Sequence, residues 1–146
     1  MVSVASVARW WFGWRRMRAL PESHRLGRRG EELAERALRE LGYSIVARNV
    51  RCAGARGEID LIARDHHTLV FVEVKTRRRL GLYPAHFAVN RAKQRNLLRV
   101  ARAYRQQHSE RGRYRFDIVS IYQPDSPRPQ IEHTKYAFRE VRYWHW

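Results

Sequence analysis

Two apolar, β-branched runs stand close together near the middle of the chain. The first covers residues 57–63 and the second residues 69–76, and a short polar loop over residues 64–68 separates them. Runs of this kind on either side of a polar loop predict a β-hairpin. An ionised group in a core-like strand is costly unless it is paired or binds a metal. Three such residues interrupt the two runs: Asp60, Glu73 and Lys75.

The expected pairing register of the hairpin places these charged residues together. A loop centred on His66 and His67 sets Asp60 directly opposite Glu73, and opposed residues on one face lie about 5 Å apart at Cβ. Lys75 projects from the same face as Glu73, because side chains alternate along a strand. Two carboxylates this close repel each other unless a proton or a cation lies between them. The cluster fits either a Mg²⁺ or Mn²⁺ site with oxygen ligands or an ordinary carboxylate–lysine pair on a sheet face.

The rest of the pattern predicts two helices and three further strands. Apolar residues recur at helical spacing over residues 26–41 and 90–107, and Asn90 suits the N-terminal cap of the second helix. Apolar and alternating runs predict strands over 43–49 and 114–122 and a short edge strand over 130–136. The predicted order is helix, three strands, helix, strand, followed by the short edge strand, and residues 26–146 are expected to form a single domain.

The first predicted helix carries three acids near its start, and the helical wheel separates them. Glu31 falls within about 20° of Leu38, at the edge of the apolar face, whereas Glu32 and Glu35 point to the polar side. If an acid from this helix joins the hairpin cluster, Glu31 is the candidate. The alternative is that all three acids serve the electropositive N-terminal end of the helix.

Net charge is the strongest global signal. The 146 residues include 30 Lys and Arg against 14 Asp and Glu, which gives a net charge of +16. A balance this basic suggests a polyanionic partner, most simply nucleic acid, with an anionic membrane surface as the competing partner. The candidates for nucleic-acid binding follow the hairpin or lie on the second helix: Arg77, Arg78, Arg79, Lys93, Arg95, Arg99 and Arg102.

Two features of these cationic residues leave alternatives open. A run of positively charged residues often forms only a solvent-exposed face and not a binding surface for nucleic acid. Lys93 also heads the apolar face of its helix, so either its stem lies along the core with the amine in solvent, or its amine reaches the hairpin cluster. On the strand predicted over residues 114–122, Arg115 and Asp117 share one face and are expected to pair with each other or across strands.

The first 25 residues differ in composition from the rest of the chain. They contain a Trp- and Arg-rich stretch over residues 9–18, and we expect a flexible N-terminal extension over residues 1–25. A short amphipathic helix at a membrane surface is the alternative. The one cysteine, Cys52, excludes an intrachain disulfide and fits a reducing, cytoplasmic location. No stretch of roughly 18 apolar residues is present, so we expect no transmembrane helix, and nucleic acid rather than a membrane is the expected partner.

The charged residues resemble the PD-(D/E)xK nuclease motif, with Glu31 on a helix, Asp60 on the second strand and Glu73-Val74-Lys75 on the third. Ile59 stands where the motif name has Pro. A longer string over residues 26–122 resembles the YraN-like family of uncharacterised bacterial proteins, which is similar in pattern to archaeal Holliday-junction resolvases. That string comprises Gly30-Glu31, Gly42-Tyr43, Arg48-Asn49, Gly57-Glu58-Ile59-Asp60-Leu61-Ile62, Phe71-Val72-Glu73-Val74-Lys75-Thr76-Arg77, Lys93 and Arg115-Phe116-Asp117.

The resemblance implies an α/β fold with a restriction-endonuclease-like core and a mixed central sheet. It implies Asp60 and Glu73 as ligands of Mg²⁺ or Mn²⁺, Lys75 as the catalytic lysine and Glu31 as a further catalytic acid. The expected function is Mg²⁺-dependent hydrolysis of phosphodiesters in branched or structured DNA, with a homodimer as the assembly that the resolvases suggest. The alternatives are a catalytically silent DNA- or RNA-binding module with the same fold and a membrane-surface adaptor.

Overall fold

The computed structural model describes residues 21–79 and 89–139, which form two helices and five strands. In chain order these are α1 (Glu22–Glu40), β1 (Ser44–Val50), β2 (Ile59–Asp65), β3 (Thr68–Arg77), α2 (Arg91–Gln107), β4 (Tyr114–Tyr122) and β5 (Gln130–Phe138). The predicted order of elements is confirmed. Residues 1–20 lie outside the described residues, and with them most of the extension predicted to be flexible.

The five strands form one mixed sheet in the order β1-β2-β3-β4-β5. β3 and β4 run parallel, and every other neighbouring pair is antiparallel. The parallel pair requires a crossover connection, and α2 lies within it. The predicted α/β class with a mixed sheet is therefore confirmed. No helix in the described parts of the chain is long and apolar enough to cross a membrane.

Each helix packs against one face of the sheet. α1 buries Leu33 and Leu38 in a core with alternate residues of β2, β3 and β4, including Leu61, Val70, Val72, Val119 and Ile121. α2 buries Leu97, Val100 and Tyr104 in the core on the opposite face, which includes Ile62, Leu69, Phe71, Phe116 and Ile118. The central strands supply side chains to both cores, which explains their nearly continuous apolar runs. By this alternation Glu73 follows Leu69 and Phe71 on the α2 face.

Helix α1 begins at Glu22 and not at residue 26 as predicted. Pro21 occupies the N-cap with a φ of −48°, close to the helical value that its ring imposes. Glu22 lies in the first turn, where its charge suits the helix dipole, and it forms an ion pair with Arg78. Residues 22–25 are all exposed, so this turn contributes no apolar periodicity that a sequence pattern could detect.

The hairpin loop is shorter than the polar stretch of residues 64–68 predicted. β2 and β3 stay paired up to Asp65 and Thr68, which leaves only His66 and His67 in the turn. The polar ends of the strands have partners elsewhere: Arg64 contacts Glu110 at 2.5 Å and Asp65 contacts Arg115 at 2.9 Å. These long-range ion pairs keep the strands extended, whereas composition alone indicated a loop.

Helix α1 crosses β3 very closely at Gly30. A Cβ atom at this position would lie 2.9 Å from the Cβ of Thr76 and would overlap the threonine hydroxyl. A glycine in a helix interior normally lowers stability, so its presence is explained by this close approach. The contact holds the N-terminal half of α1, which carries Glu31, against the C-terminal end of β3.

A buried ionic network joins β4 to both edges of the sheet. Arg115 Nε donates to both carboxylate oxygens of Asp117, at 3.0 and 3.1 Å, so the expected pairing between these two residues is confirmed. Asp117, which is 0% exposed, lies 2.9 Å from His133 Nε2, and Arg115 donates to the hydroxyl of Tyr43 at 2.8 Å. Hydrogen bonds from His133 and Arg115 lower the pKa of Asp117 although its burial acts to raise it. None of these contacts involves Asp60 or Glu73, so the network is separate from that pair of acids.

Candidate active site

The hairpin brings Asp60 and Glu73 to neighbouring positions on two strands. Leu61 pairs with Val72, which is the pairing that the predicted register requires, so the next residues along the strands are Asp60 and Glu73. Asp60 Oδ2 accepts a hydrogen bond of 2.7 Å from the backbone N–H of Val74. This bond holds the Asp60 carboxylate against β3, beside Glu73.

Glu73 is a buried carboxylate with an ammonium group at each of its oxygens. It is 3% exposed, Lys75 Nζ lies 2.9 Å from Oε1, and Lys93 Nζ lies 3.2 Å from Oε2. Oε2 nevertheless accepts no hydrogen bond, so its contact with Lys93 has the distance of an ion pair but not hydrogen-bond geometry. The two lysines offset the cost of burying the charge. One carboxylate oxygen keeps unused capacity to bind a donor or a cation.

Burial raises the pKa of Asp60 to about 7, and the nearby negative charge of Glu73 contributes to that rise. The Val74 N–H and the positive charge of Lys93 act in the opposite direction. An aspartate that protonates near neutrality is unusual outside functional sites. Because the neighbouring carboxylate contributes to this shift, a cation placed between the two groups would relieve it.

Glu31 extends the acidic cluster from α1. Burial raises the pKa of Glu31, and the charge of Glu58 adds to that rise, while a hydrogen bond from Asn49 opposes it. With its carboxamide turned to donate, Asn49 Nδ2 lies 3.3 Å from Glu31 Oε2 and 3.0 Å from Glu58 Oε1. Arg51 Nε donates to Glu58 at 2.6 Å. Asn49, near the end of β1, thus bridges the carboxylates of Glu31 and Glu58.

Asn49 and Glu58 were not predicted as residues of the site. Their only signal in the sequence is their place in the family string, in Arg48-Asn49 and in Gly57-Glu58. The contact of Asn49 with Glu31, and the nearness of the Glu58 charge to it, depend on how α1 packs beside the connection between β1 and β2. No periodic pattern of apolar residues in the sequence indicates that packing.

An open pocket of about 400 Å³ contains the four residues predicted to carry the chemistry: Glu31, Asp60, Glu73 and Lys75. Leu26, Gly27 and Thr76 complete much of its wall. A larger cavity of about 660 Å³ adjoins it, and the two share Ser23, Gly27 and Glu31. The pocket is thus open to a substrate that is larger than a metal ion.

The oxygen donors of the pocket suit a hard divalent cation. Asp60 and Glu73 present carboxylate oxygens, and Glu73 Oε2 is buried without a hydrogen-bond partner. Within residues 21–79 and 89–139, no three His, Cys, Asp or Glu side chains are grouped so as to hold a metal by themselves. Mg²⁺ commonly takes one or two protein carboxylates and completes its shell with water and substrate phosphates. The pair therefore fits Mg²⁺ or Mn²⁺, and it lacks the nitrogen and sulfur ligands typical of zinc.

The predicted cationic residues divide into two groups. The amine of Lys93 contacts Glu73 of the hairpin cluster, so the second of its two interpretations is the observed one. The other six are exposed, at the end of β3 or on the outer side of α2, and we call them the arginine set: Arg77, Arg78, Arg79, Arg95, Arg99 and Arg102. Arg78 is partly neutralised by its ion pair with Glu22.

A comparison with protein-family models identifies the family of the chain. Residues 30–121 match the model described as "Uncharacterised protein family UPF0102". The chain belongs to this family. The resemblance to YraN-like proteins is thereby confirmed, and the matched segment includes the site residues Glu31, Asp60, Glu73, Lys75 and Lys93.

Individual relatives extend over most of the chain. A UPF0102 protein of Koribacter versatilis is 47% identical over 118 residues, which cover 81% of this chain and 82% of the relative. A UPF0102 protein of Nocardia farcinica is 47% identical over 114 residues, covering 77% and 88%. A UPF0102 protein of Geobacter sulfurreducens is 47% identical over 124 residues, covering 81% and 91%. The similarity to these relatives thus extends well beyond the residues that carry the site.

Proposed function

We propose that this protein is a metal-dependent endonuclease with a PD-(D/E)xK site on a restriction-endonuclease-like core, and that it hydrolyses phosphodiesters in branched or structured DNA. The observation that carries the proposal is the pocket in which Asp60, the buried Glu73 and Lys75 converge beside Glu31. The order helix, three strands, helix, strand, with β3 and β4 parallel, supports the core assignment.

Each residue of the pocket has a role that its geometry supports. Asp60 and Glu73 would hold Mg²⁺ or Mn²⁺, which supplies charge stabilisation at a phosphoryl oxygen and an activated water when bound. Lys75, whose amine lies 2.9 Å from Glu73, would orient the attacking water or offset charge on the reacting phosphate. Glu31, held by Asn49, would bind or orient a water on the α1 side of the pocket.

The arginine set would bind the substrate backbone. Guanidinium groups match phosphate geometry, and their contacts are independent of base sequence. The net charge of +16 favours association with a polyanion. Recognition of a branched shape by a homodimer, with one pocket for each of two strands, belongs to the same proposal.

Cleavage assays with matched variants test this function. Wild type should cleave a four-way DNA junction in millimolar Mg²⁺ or Mn²⁺, and EDTA should abolish cleavage. Asp60→Asn should lose at least about a hundredfold in rate, because a metal ligand is removed. Asp125→Asn removes an exposed acid in the loop between β4 and β5 and should cleave as wild type does. Equal rates for wild type and Asp60→Asn, or no cleavage of any DNA or RNA substrate, would contradict the proposal.

One observation favours a second candidate, a nucleic-acid-binding module that does not cleave. Lys75 and Lys93 already neutralise Glu73 without a metal. A silent module would bind DNA or RNA with the same affinity in Mg²⁺ and in EDTA, and Asp60→Asn would leave that affinity unchanged. The nuclease requires instead that Mg²⁺ affect both binding and turnover. The membrane-surface alternative rests on the basic face together with the Trp- and Arg-rich stretch over residues 9–18, and that stretch lies outside the described residues.

A further inference from the structure

Lys93 reaches Glu73 from a different element than the other cation, Lys75. It lies in the first turn of α2, where the side chain of Asn90 accepts a 2.9 Å hydrogen bond from the backbone N–H of Lys93. This cap fixes the start of the helix and hence the origin of the lysine side chain. Lys75 contacts the other oxygen of Glu73 and comes from the same strand as Glu73. The two amines are therefore not equivalent.

The amine of Lys93 acts on both acids of the hairpin. It is 3.2 Å from Glu73 Oε2, and its positive charge also lowers the pKa of Asp60 against the effect of burial. The oxygen it faces is the one that accepts no hydrogen bond. Because Oε2 is free of hydrogen bonds, it is the oxygen available to a divalent cation shared by Asp60 and Glu73, and a cation bound there would compete with the amine.

We propose that Lys93 is the resident counter-ion of the metal-free pocket, and that a divalent cation binds only by displacing its amine from Glu73 Oε2. This inference rests on the proposed function, because it concerns the same metal site. The lysine keeps the buried acids neutralised in the absence of metal, and it weakens metal affinity by the cost of its displacement. Once displaced, the amine remains near the pocket, where a substrate phosphate can accept its hydrogen bonds. Lys93 is accordingly a positioning residue that sets the metal concentration at which the site is loaded.

The direct test measures Mn²⁺ affinity by isothermal titration calorimetry on the full chain. Lys93→Met removes the charge and keeps much of the apolar stem, so Mn²⁺ should bind about tenfold more tightly or better. Lys93→Arg keeps the charge and should not tighten binding. Arg91→Met removes an exposed charge from the same helix turn and should match wild type. The rise in melting temperature on adding Mn²⁺ should be larger for Lys93→Met than for wild type.

A second measurement uses the wild-type chain, so that it does not depend on a variant folding. Titration with Mg²⁺ should shift the NMR resonances of the Lys93 side-chain amine and its Cε group, because the amine leaves Glu73. Shifts confined to Asp60 and Glu73, with the Lys93 resonances unmoved, would overturn the inference.

The outcomes separate this inference from the proposed function. If wild type binds Mn²⁺ and Lys93→Met binds it no more tightly, the displacement model is wrong while the metal site stands. If neither wild type nor Lys93→Met binds Mn²⁺, both the inference and the metal-dependent function are wrong. Tighter binding by Lys93→Met with no cleavage of any nucleic acid would support the inference and contradict the nuclease.

Discussion

At the scale of single residues, two carboxylates in one pocket meet different surroundings. Glu73 is buried and has an ammonium group near each oxygen. Asp60 has one backbone hydrogen bond from Val74, and burial together with Glu73 raises its pKa to about 7. The ionised form of Asp60 is thus disfavoured in the folded chain without metal. A side chain that costs stability in a pocket open to solvent is typical of a site selected for function.

The raised pKa gives a prediction about stability without metal. Between about pH 4 and pH 7 the folded state holds a proton on Asp60 that the unfolded state releases, so the stability of wild type falls as pH rises through this window and then levels off. Asp60→Asn removes this loss of stability. We expect its free energy of unfolding at about pH 8 to exceed that of wild type by up to about 4 kcal/mol, with little difference at about pH 4.

Urea denaturation in EDTA at several pH values measures this difference. Asp125→Asn should change the free energy of unfolding by less than about 0.5 kcal/mol at every pH, as expected of an exposed substitution. A wild type that is as stable as Asp60→Asn at about pH 8 would show that Asp60 is not held in an unfavourable environment.

At the scale of elements, the position of α1 decides whether the pocket includes Glu31. The helix can approach β3 because Gly30 has no side chain to meet Thr76. Glu31 follows directly in the chain, and Asn49 at the end of β1 contacts its carboxylate. The packing of one helix on one strand therefore completes the acidic side of the pocket.

Two glycines on α1 provide a matched test of this packing. Gly30→Ala should lower the free energy of unfolding by about 1–3 kcal/mol, because the added methyl group must push the helix away from Thr76. Gly27→Ala meets nothing within 4 Å and should raise stability by up to about 1 kcal/mol through helix propensity. Thermal or chemical unfolding of both variants measures the contrast. Similar effects of the two substitutions would contradict the close approach.

At the scale of the whole molecule, the arginine set is separate from the acidic pocket, where Lys75 and Lys93 contact Glu73. The six residues of the arginine set are exposed on α2 and at the end of β3, while the acids lie in the pocket between α1 and the hairpin. A nuclease needs this division, because the acids that bind metal also repel phosphate. In the proposed nuclease, the arginine set would provide the compensating attraction.

Salt dependence of DNA affinity tests the arginine set. Replacing both Arg95 and Arg99 by Ala should weaken binding and reduce the slope of log affinity against log salt by about 2, because each arginine neutralises one phosphate. Replacing Arg36 and Arg128, which are exposed on α1 and between β4 and β5, removes the same charge elsewhere. Equal slopes for the two double variants would show that binding depends only on net charge.

Local patterns in the sequence predicted the hairpin and its register, because strand alternation and a short turn determine which residues face each other. The helical wheel selected Glu31, and the helical spacing left Lys93 with two interpretations, of which the structure shows one. Contacts between elements that are distant in the chain produce no periodic pattern in the local sequence. The roles of Gly30, Asn49 and Glu58, and the ion pairs that shorten the hairpin loop, depend on packing between elements that are far apart in the chain.

The most direct test of the central claim is a crystal structure of the protein soaked in Mn²⁺, with anomalous diffraction data. We predict one Mn²⁺ peak about 2.1 Å from carboxylate oxygens of Asp60 and Glu73. We also expect the Lys93 amine to have moved away from Glu73 Oε2. A pocket without an anomalous peak at saturating Mn²⁺, with Lys93 still in contact with Glu73, would contradict the claim that these acids form a metal site.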